Sequence, residues 1–255
     1  DGINDAPAIK QADVGISVNT AADTAKDAAA IVLLQNNLNV LLSGIKEGRR
    51  TFINTLKYIF IATSANFGNM FSMAGASLFL KFLPLLPKQI LLTNLFTDFP
   101  SLQIASDSVD ESWLEKPVKW DMKFIKKFMV IFGITSSIFD YITFFVLLSV
   151  FKSDERLFQT GWMLESVISA MVVMLIVRTA RPIFASKVSK NLILAIIFVS
   201  LALIAIIYCP INAYLGLRAL PIKVLISMFG ISLAYAITAE ILKKKFYKNN
   251  SFSRK

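Results

Sequence analysis

The chain has 255 residues and a formal net charge of +10; 55% of its residues are hydrophobic and only 17% are charged. Because soluble domains carry about a quarter charged residues, this composition is typical of a membrane protein. A single cysteine excludes an intramolecular disulfide, and the lack of histidine excludes the usual zinc hydrolases and Ser-His-Asp hydrolases.

Residues 1–50 predict the end of a parallel α/β unit. The predicted elements are a helical turn begun by Asp5 and Pro7, a strand Val14–Val18, a helix from Thr20 through Ala29 and a strand Ile31–Leu34. Two strands are too few to bury a stable core, so we expect these residues to be the C-terminal part of a larger Rossmann-like domain. Another helix is predicted to start near Leu38 and to continue directly into the first membrane span.

Six apolar segments occupy most of residues 51–255. They are predicted as membrane spans near residues 58–80, 89–106, 124–151, 158–178, 191–209 and 221–242. Each has about the 20 residues that a hydrocarbon core of roughly 30 Å requires. We therefore expect a mainly α fold, in which a six-helix transmembrane bundle follows the α/β remnant and has the lipid bilayer as its partner.

The basic residues lie on alternate loops between these spans. They cluster before the first span, between the second and third, between the fourth and fifth, and after the last, for example at Arg49, Lys119, Lys187 and Lys243–Lys255. Cytoplasmic loops carry an excess of Lys and Arg, so both termini of the chain are predicted to be cytoplasmic. A positive charge that alternates in this way indicates topology, and we expect no nucleic-acid partner.

Residues 1–7 read Asp-Gly-Ile-Asn-Asp-Ala-Pro, followed by Lys10, Asp13 and Gly15. This stretch resembles the metal-binding loop of the cytoplasmic, HAD-like phosphorylation domain of P-type ATPases, and residues 1–50 would be the C-terminal part of that domain. The resemblance implies that Asp1 and Asp5 serve a magnesium ion and that Asn4 helps to orient the phosphate or the attacking water. Carboxylates suit such a hard cation, which neutralises charge during phosphoryl transfer. The alternative is a turn in which Asp5 merely caps a helix.

The chain lacks other parts of such an enzyme. The family's phosphorylated aspartate lies in the motif Asp-Lys-Thr-Gly-Thr, which does not occur in these residues. A nucleotide-binding domain is not recognisable either. We therefore expect a C-terminal fragment that is inactive alone, whose partner is the missing N-terminal part of the same pump. ATP would be the substrate of the full-length parent, with Mg²⁺ as its cofactor.

Polar residues within the spans are candidates for transport, because they are costly at bilayer depth. Asn66 and Asn69 lie one helical turn apart in the first span, and Asn94, Thr97 and Asp98 share a face of the second. The resemblance maps these five residues onto the ligands of the transported divalent cation in P-type pumps. The alternative is that the amides and hydroxyls only join helices by hydrogen bonds.

Pro100 lies two residues after Asp98 and is expected to interrupt the helix there. Since proline has no N–H, the carbonyl of Phe96 would lose its partner, and we expect the helix to be broken there. Unwound backbone presents oxygens to cations in many transporters.

Two more acids, Asp140 and Glu165, lie within predicted spans and could assist ion access as accessory residues. The alternative for Asp140 is a hydrogen bond to a hydroxyl or backbone group in the bundle. Glu165 is near its helix start and could instead reach interfacial water.

Several segments resemble the magnesium-importing subgroup of bacterial P-type ATPases, including Asn66–Asn69, Phe82–Pro87, Phe132–Asp140 and Arg178–Pro182. This implies a pump that moves magnesium inward across the bacterial plasma (inner) membrane. Thr97 and the following residues are closer to calcium pumps, so a calcium or other cation pump is an alternative. An alternative of another class is a truncated, non-catalytic membrane remnant or an interaction partner of another pump.

Overall fold

A computed structural model describes residues 1–35 and 37–249, most of which are helical. The chain divides into two compact units, Asp1–Arg50 and Thr51–Lys255.

The first unit contains a short βαβ arrangement. A 3₁₀ turn, Ile3–Asp5, precedes α1 (Ala6–Gln11), and β1 (Ile16–Val18), α2 (Asp23–Ala28) and β2 (Ile31–Leu33) follow. The two strands pair in parallel with Ile16 opposite Ile31, so α2 crosses between them. Two strands do not define a complete sheet order, and the Rossmann-like class of the parent domain stays a prediction.

Helix α2 begins later than predicted. The N–H of Ala21 bonds to the carbonyl of Val18 at 3.0 Å, which closes a turn directly after β1. Ala22 is then extended and precedes the first helical residue, Asp23. The predicted start at Thr20 was therefore wrong, because the chain must turn away from the strand before it can begin a helix.

Eight helices follow in the described part of the chain. They are α3 (Leu38–Ala76), α4 (Pro87–Leu102), α5 (Glu111–Leu114), α6 (Met122–Phe145), α7 (Glu155–Val177), α8 (Lys190–Tyr208), α9 (Asn212–Leu215) and α10 (Ile222–Asn249). Helix α3 has 39 residues and starts at the predicted position. The predicted continuous helix from Leu38 into the first apolar segment is thus confirmed.

Four helical segments in the described residues are long and apolar enough to cross a membrane. They are Met122–Val150, Glu155–Val177, Lys190–Tyr208 and Ile222–Asn249. The other two predicted spans correspond to the C-terminal part of α3 and to α4, which has only 16 residues. The membrane-helix character of the fold is therefore shown, while the count of six spans stays a proposal.

Helix α7 lies inside the second unit. Every residue from Phe158 to Ser169 is buried, and α7 packs against α4, α6, α8 and α10. In contrast, α8 exposes large apolar side chains such as Leu194, Phe198 and Leu201. A helix buried all round occupies the centre of a bundle, whereas an exposed apolar face suits lipid.

Helices α3 and α6 approach closely at two glycines. A Cβ atom added at Gly133 would lie 2.6 Å from a ring carbon of Phe67, and one added at Gly68 would lie 3.0 Å from Cβ of Ser136. Small residues allow this backbone approach between membrane helices. The contact holds the part of α3 that carries Asn66 and Asn69 against α6.

The predicted break beside Asp98 is wrong, since α4 continues through Pro100 to Leu102. Pro100 lies in the last turn of this helix, so its missing N–H affects only the carbonyl of Phe96, and its φ angle is compatible with a helix. The chain then tightens into a 3₁₀ turn, Gln103–Ser106. Asp98 is consequently presented by a regular helix.

Candidate functional site

A cavity of about 100 Å³ lies among α3, α4, α6, α7 and α10 of the second unit. Its polar lining consists of amide, hydroxyl and carboxyl side chains. These belong to Tyr58, Ser64, Asn66, Asn69, Thr97, Asp98, Ser101, Ser136, Ser166, Ser169 and Tyr235. Four of the five predicted transport residues, all except Asn94, line this one cavity.

Asn94 is the exception among these five. It does not line the cavity, and its side chain is exposed. The backbone carbonyl of Asn94 accepts a hydrogen bond of 3.1 Å from the Thr97 hydroxyl. The structure thus separates Asn94 from the other four residues, although Asn94, Thr97 and Asp98 lie within about one turn of α4.

The sequence pattern did not single out the hydroxyl groups of α7 that complete the cavity. Ser166 and Ser169 are three residues apart and face it together, and Ser101 lies three residues after Asp98 on α4. This spacing places side chains on one helix face and was visible in the sequence. The spacing alone did not assign a function to these hydroxyls, because hydroxyl groups in membrane helices commonly donate hydrogen bonds to backbone carbonyls of their own helix.

Asp98 is the only charged side chain among the lining residues that the structure describes. The side chains of Asn66 and Asp98 are exposed, so the cavity is open on their side. Carboxylate, amide and hydroxyl oxygens are hard ligands, and hard divalent cations prefer them. The lining therefore suits a cation that is compensated by a single carboxylate.

Asp140 and Glu165 do not line this cavity. Asp140 accepts hydrogen bonds from the Ser72 hydroxyl at 2.6 Å and from Nε1 of Trp162 at 2.7 Å. The alternative in which Asp140 bonds to a hydroxyl in the bundle is confirmed. Glu165 is only 1% exposed and does not reach interfacial water, because neighbouring helices enclose α7 on all sides.

The loop of Asp1, Asn4 and Asp5 lies in the first unit, where all three side chains are exposed. The N–H of Gly2 donates to Oδ2 of Asp5 at 2.8 Å, and the N–H of Asp5 donates to the carbonyl of Gly2 at 3.1 Å. Asp5 precedes α1, but its carboxylate accepts no capping hydrogen bond from that helix. The Asp5 carboxylate instead stabilises the turn between Gly2 and Asp5, and this turn places Asp1 and Asn4 next to Asp5.

The two carboxylates of Asp1 and Asp5 supply too few ligands to complete a metal site without water or other groups. The described residues contain no group of three or more His, Cys, Asp or Glu side chains that could hold a metal ion. The exposed carboxylate oxygens of Asp1 and Asp5 fit two positions around a magnesium ion. Such an ion normally keeps several waters and binds one or two carboxylates. The donor chemistry therefore fits the group that the family resemblance implies.

Beside the end of α4 lies a buried charge cluster that the sequence did not reveal. Oδ2 of Asp107 accepts from Nζ of Lys57 at 2.8 Å and from Nη1 of Arg178 at 2.9 Å. Oδ1 accepts from the N–H of Ser189 at 3.1 Å. Lys57 belongs to the basic cluster before the first predicted span and Arg178 to the cluster after the fourth, yet both bond to the segment after α4 and join it to α3 and to the end of α7.

Replacing Asp107 by Asn is expected to lower the free energy of unfolding by about 3–5 kcal/mol, because two buried cations lose their carboxylate. The matched control is Asp154→Asn, which breaks an exposed pair with Arg218 of 3.0 Å and should cost about 0–1 kcal/mol. Thermal unfolding of the full-length parent in detergent measures both. Equal effects of the two variants would show that the Asp107 cluster does not stabilise the bundle.

Comparison with known proteins identifies the family. The family model described as "Cation transporting ATPase, C-terminus" matches residues 82–245. The chain is 42% identical over 248 residues to a magnesium-transporting ATPase, P-type 1, of Escherichia coli (strain K12), covering 95% of the chain and 28% of that protein. A protein of the same name from Salmonella typhimurium (strain LT2) is 41% identical over the same shares.

The similarity to calcium pumps is shorter. A calcium-transporting ATPase of Bacillus subtilis (strain 168) is 45% identical over 109 residues, which is 42% of this chain and 12% of that protein. The chain spans 28% of the length of the magnesium-transporting relatives, so it corresponds to a part of such a protein. The family resemblance predicted from the loop and the spans is confirmed, and the chain belongs to the cation-transporting P-type ATPases.

Proposed function

We propose that this chain is part of an ATP-driven P-type pump that transports magnesium inward across the bacterial plasma membrane. The observation that carries the proposal is the cavity that brings Asn66, Asn69, Thr97 and Asp98 together inside a bundle of apolar helices. Ionisable residues in membrane helices are costly and usually mark an ion pathway. The relatives named for magnesium transport support the choice of pump.

The cavity chemistry favours magnesium over calcium. Magnesium dehydrates reluctantly and is commonly bound by one or two carboxylates together with retained water, whereas calcium takes 6–8 oxygen ligands, often from several carboxylates. One carboxylate, Asp98, lines the cavity, and a cavity of about 100 Å³ has room for water beside an ion. The long match to magnesium transporters points the same way as this single charge.

The loop of the first unit serves the phosphorylation chemistry in this proposal. Asp1 and Asp5 would hold Mg²⁺, which when bound neutralises charge on the transferred phosphoryl group. Asn4 orients the phosphate or the attacking water, and the Gly2–Asp5 turn keeps these side chains together. The phosphorylated aspartate and the ATP-binding site would belong to the part of the parent outside this chain.

Helix α3 is one continuous helix from Leu38 to Ala76. We propose that movement of this helix couples phosphorylation to alternating exposure of the cavity.

Two alternatives remain. Thr97, Phe99 and Pro100 are closer to calcium pumps, which favours a calcium or other cation pump. The alternative of another class is a truncated, non-catalytic membrane remnant or an interaction partner of another pump. An in-frame upstream sequence with the Asp-Lys-Thr-Gly-Thr motif would support the pump, and a native start at residue 1 would support the remnant.

The test of the proposed function is transport by the purified full-length protein in proteoliposomes. With ATP added, magnesium movement should be detected by an indicator and calcium movement should not. The side that gains magnesium also tests the inward direction. Movement of calcium alone would favour the calcium alternative, and ATP turnover without movement of either ion would contradict the proposal.

Topology gives a separate prediction. With six spans and cytoplasmic termini, a cysteine introduced at Asn250, which lies outside the described residues, should not react with an impermeant reagent added to intact cells. The control is Cys209, which is exposed after α8 and should react from outside once other cysteines of the parent are removed. Efficient labelling at position 250 would contradict the six-span proposal.

A further inference from the structure

Two carboxyl groups are buried between α6 and α7, away from the cavity lining. Asp140 is 4% exposed and Glu165 is 1% exposed. Trp162, which donates to Asp140 at 2.7 Å, lies three residues before Glu165 on α7. Residues three apart share a helix face, so Glu165 points to the same interface as Trp162. The Asp140 carboxyl is near enough to act electrostatically on Glu165, and we call these two residues the carboxyl pair.

The two members of the carboxyl pair have different hydrogen-bonding environments. Each oxygen of Asp140 accepts a bond from a side-chain donor, Ser72 or Trp162. Neither oxygen of Glu165 has a hydrogen-bond partner in the described residues, and neither has the buried hydroxyl of Thr143. Thr143 lies one turn after Asp140 on α6 and is a near polar neighbour of Glu165, together with Ser169.

An ionised Glu165 would therefore be a buried charge whose near polar neighbours are neutral hydroxyls, with no cation among the described residues to compensate it. Burying such a charge is strongly unfavourable, and the group usually takes up a proton instead. Two ionised carboxylates at close range also repel each other, which favours one shared charge. Asp140, with its two donors, is the member that keeps the negative charge.

The surroundings supply no compensating cation. No Lys or Arg side chain in the described part of the chain acts on either member of the carboxyl pair. The titratable groups near the pair are Tyr141 on α6 and Tyr235 on α10, both neutral in their ordinary state. Helix α3 presents the Ser72 hydroxyl, and α4 contributes Asp98 to the adjacent cavity, which adds a further negative charge.

We propose that the carboxyl pair is a proton-binding site inside the bundle, with Asp140 as the carboxylate and Glu165 as the carboxylic acid. The Glu165 hydroxyl has Thr143 Oγ1 as its nearby unpaired acceptor. A metal ion fits less well, because both oxygens of Asp140 already accept hydrogen bonds. Ser166 and Ser169 flank Glu165 on α7 and line the cavity, so the proton lies next to the ion pathway.

This inference concerns a second site and does not rest on the proposed magnesium transport. The test is infrared spectroscopy of the full-length parent at neutral pH, wild type minus Glu165→Gln. The variant should lose a protonated-carboxyl band, with no loss of carboxylate absorption. Loss of carboxylate absorption in its place would overturn the proposal, and so would disappearance of the protonated band when saturating Mg²⁺ is added.

A second measurement on the wild-type protein covers the case in which the variant does not fold. Dicyclohexylcarbodiimide reacts with protonated carboxyl groups in apolar surroundings, and peptide mass spectrometry locates the adduct. The adduct should form on Glu165 and be at least tenfold less abundant on Asp140. Modification of Asp140 in preference to Glu165 would reverse the assignment, and absence of an adduct on both would contradict a stably bound proton.

Discussion

Replacing Asp1 by Asn in the full-length parent is expected to lower ATP turnover by about 10²–10³-fold, the size of effect found when one electrostatic stabiliser of a transition state is removed. The substitution keeps the size of the side chain but removes a carboxylate that magnesium prefers. Asp5→Asn should have an effect of the same order, because it also weakens the acceptor of the Gly2 N–H. Phosphoenzyme formation and decay, followed with labelled ATP, measure the effect directly.

The matched control for both variants is Asp27→Asn, an exposed acid on α2 of the same unit. It makes the same chemical change away from the loop and should leave ATP turnover within about twofold of wild type, as is usual for surface substitutions. Membrane insertion should be normal in all three proteins. Near-normal formation and decay of the phosphoenzyme in both loop variants would show that Asp1 and Asp5 are not part of the phosphorylation site.

The helices could be predicted because the residues that indicate each helix are close together in the sequence. Long apolar runs bounded by charged residues predict the membrane helices, and α8 differs by only one residue at each end from the predicted span 191–209. The shorter elements were less accurate, since the turn after β1 delays α2 to Asp23. A proline such as Pro100 changes a helix according to its distance from the helix end, which composition alone does not reveal.

Residues of the candidate site could be predicted only where they lie three or four residues apart in the sequence and so share one face of a helix. Asn66 and Asn69 could be assigned to one helix face, and Thr97 and Asp98 to the face of Asn94, before the helices were assembled. The Lys57–Asp107–Arg178 cluster could not, because its members are far apart in the chain and each resembles a loop charge. The burial of Glu165 likewise depends on how four other helices surround α7.

Asp98→Asn is expected to abolish ion stimulation of ATP turnover in the full-length parent, while the protein still folds and inserts. Asp98 is the only charged side chain of the described cavity lining, and it compensates the charge of a divalent cation in an apolar bundle. Loss of the only carboxylate of the described lining should lower apparent ion affinity by at least about tenfold, which corresponds to about 1.4 kcal/mol. Stimulation curves with magnesium and calcium, at fixed ATP, provide the measurement.

The internal controls are Asp140→Asn and Glu165→Gln, which change acids of the same bundle that do not line the cavity. Both should reduce ion stimulation less than Asp98→Asn, because neither removes charge from the cavity. Magnesium should stimulate the wild-type enzyme at lower concentration than calcium, since one carboxylate with amide and hydroxyl oxygens suits an ion that retains water. Wild-type stimulation of Asp98→Asn would place the ion elsewhere in the bundle; stimulation by calcium alone would exclude magnesium as the transported ion while leaving the cavity as the site.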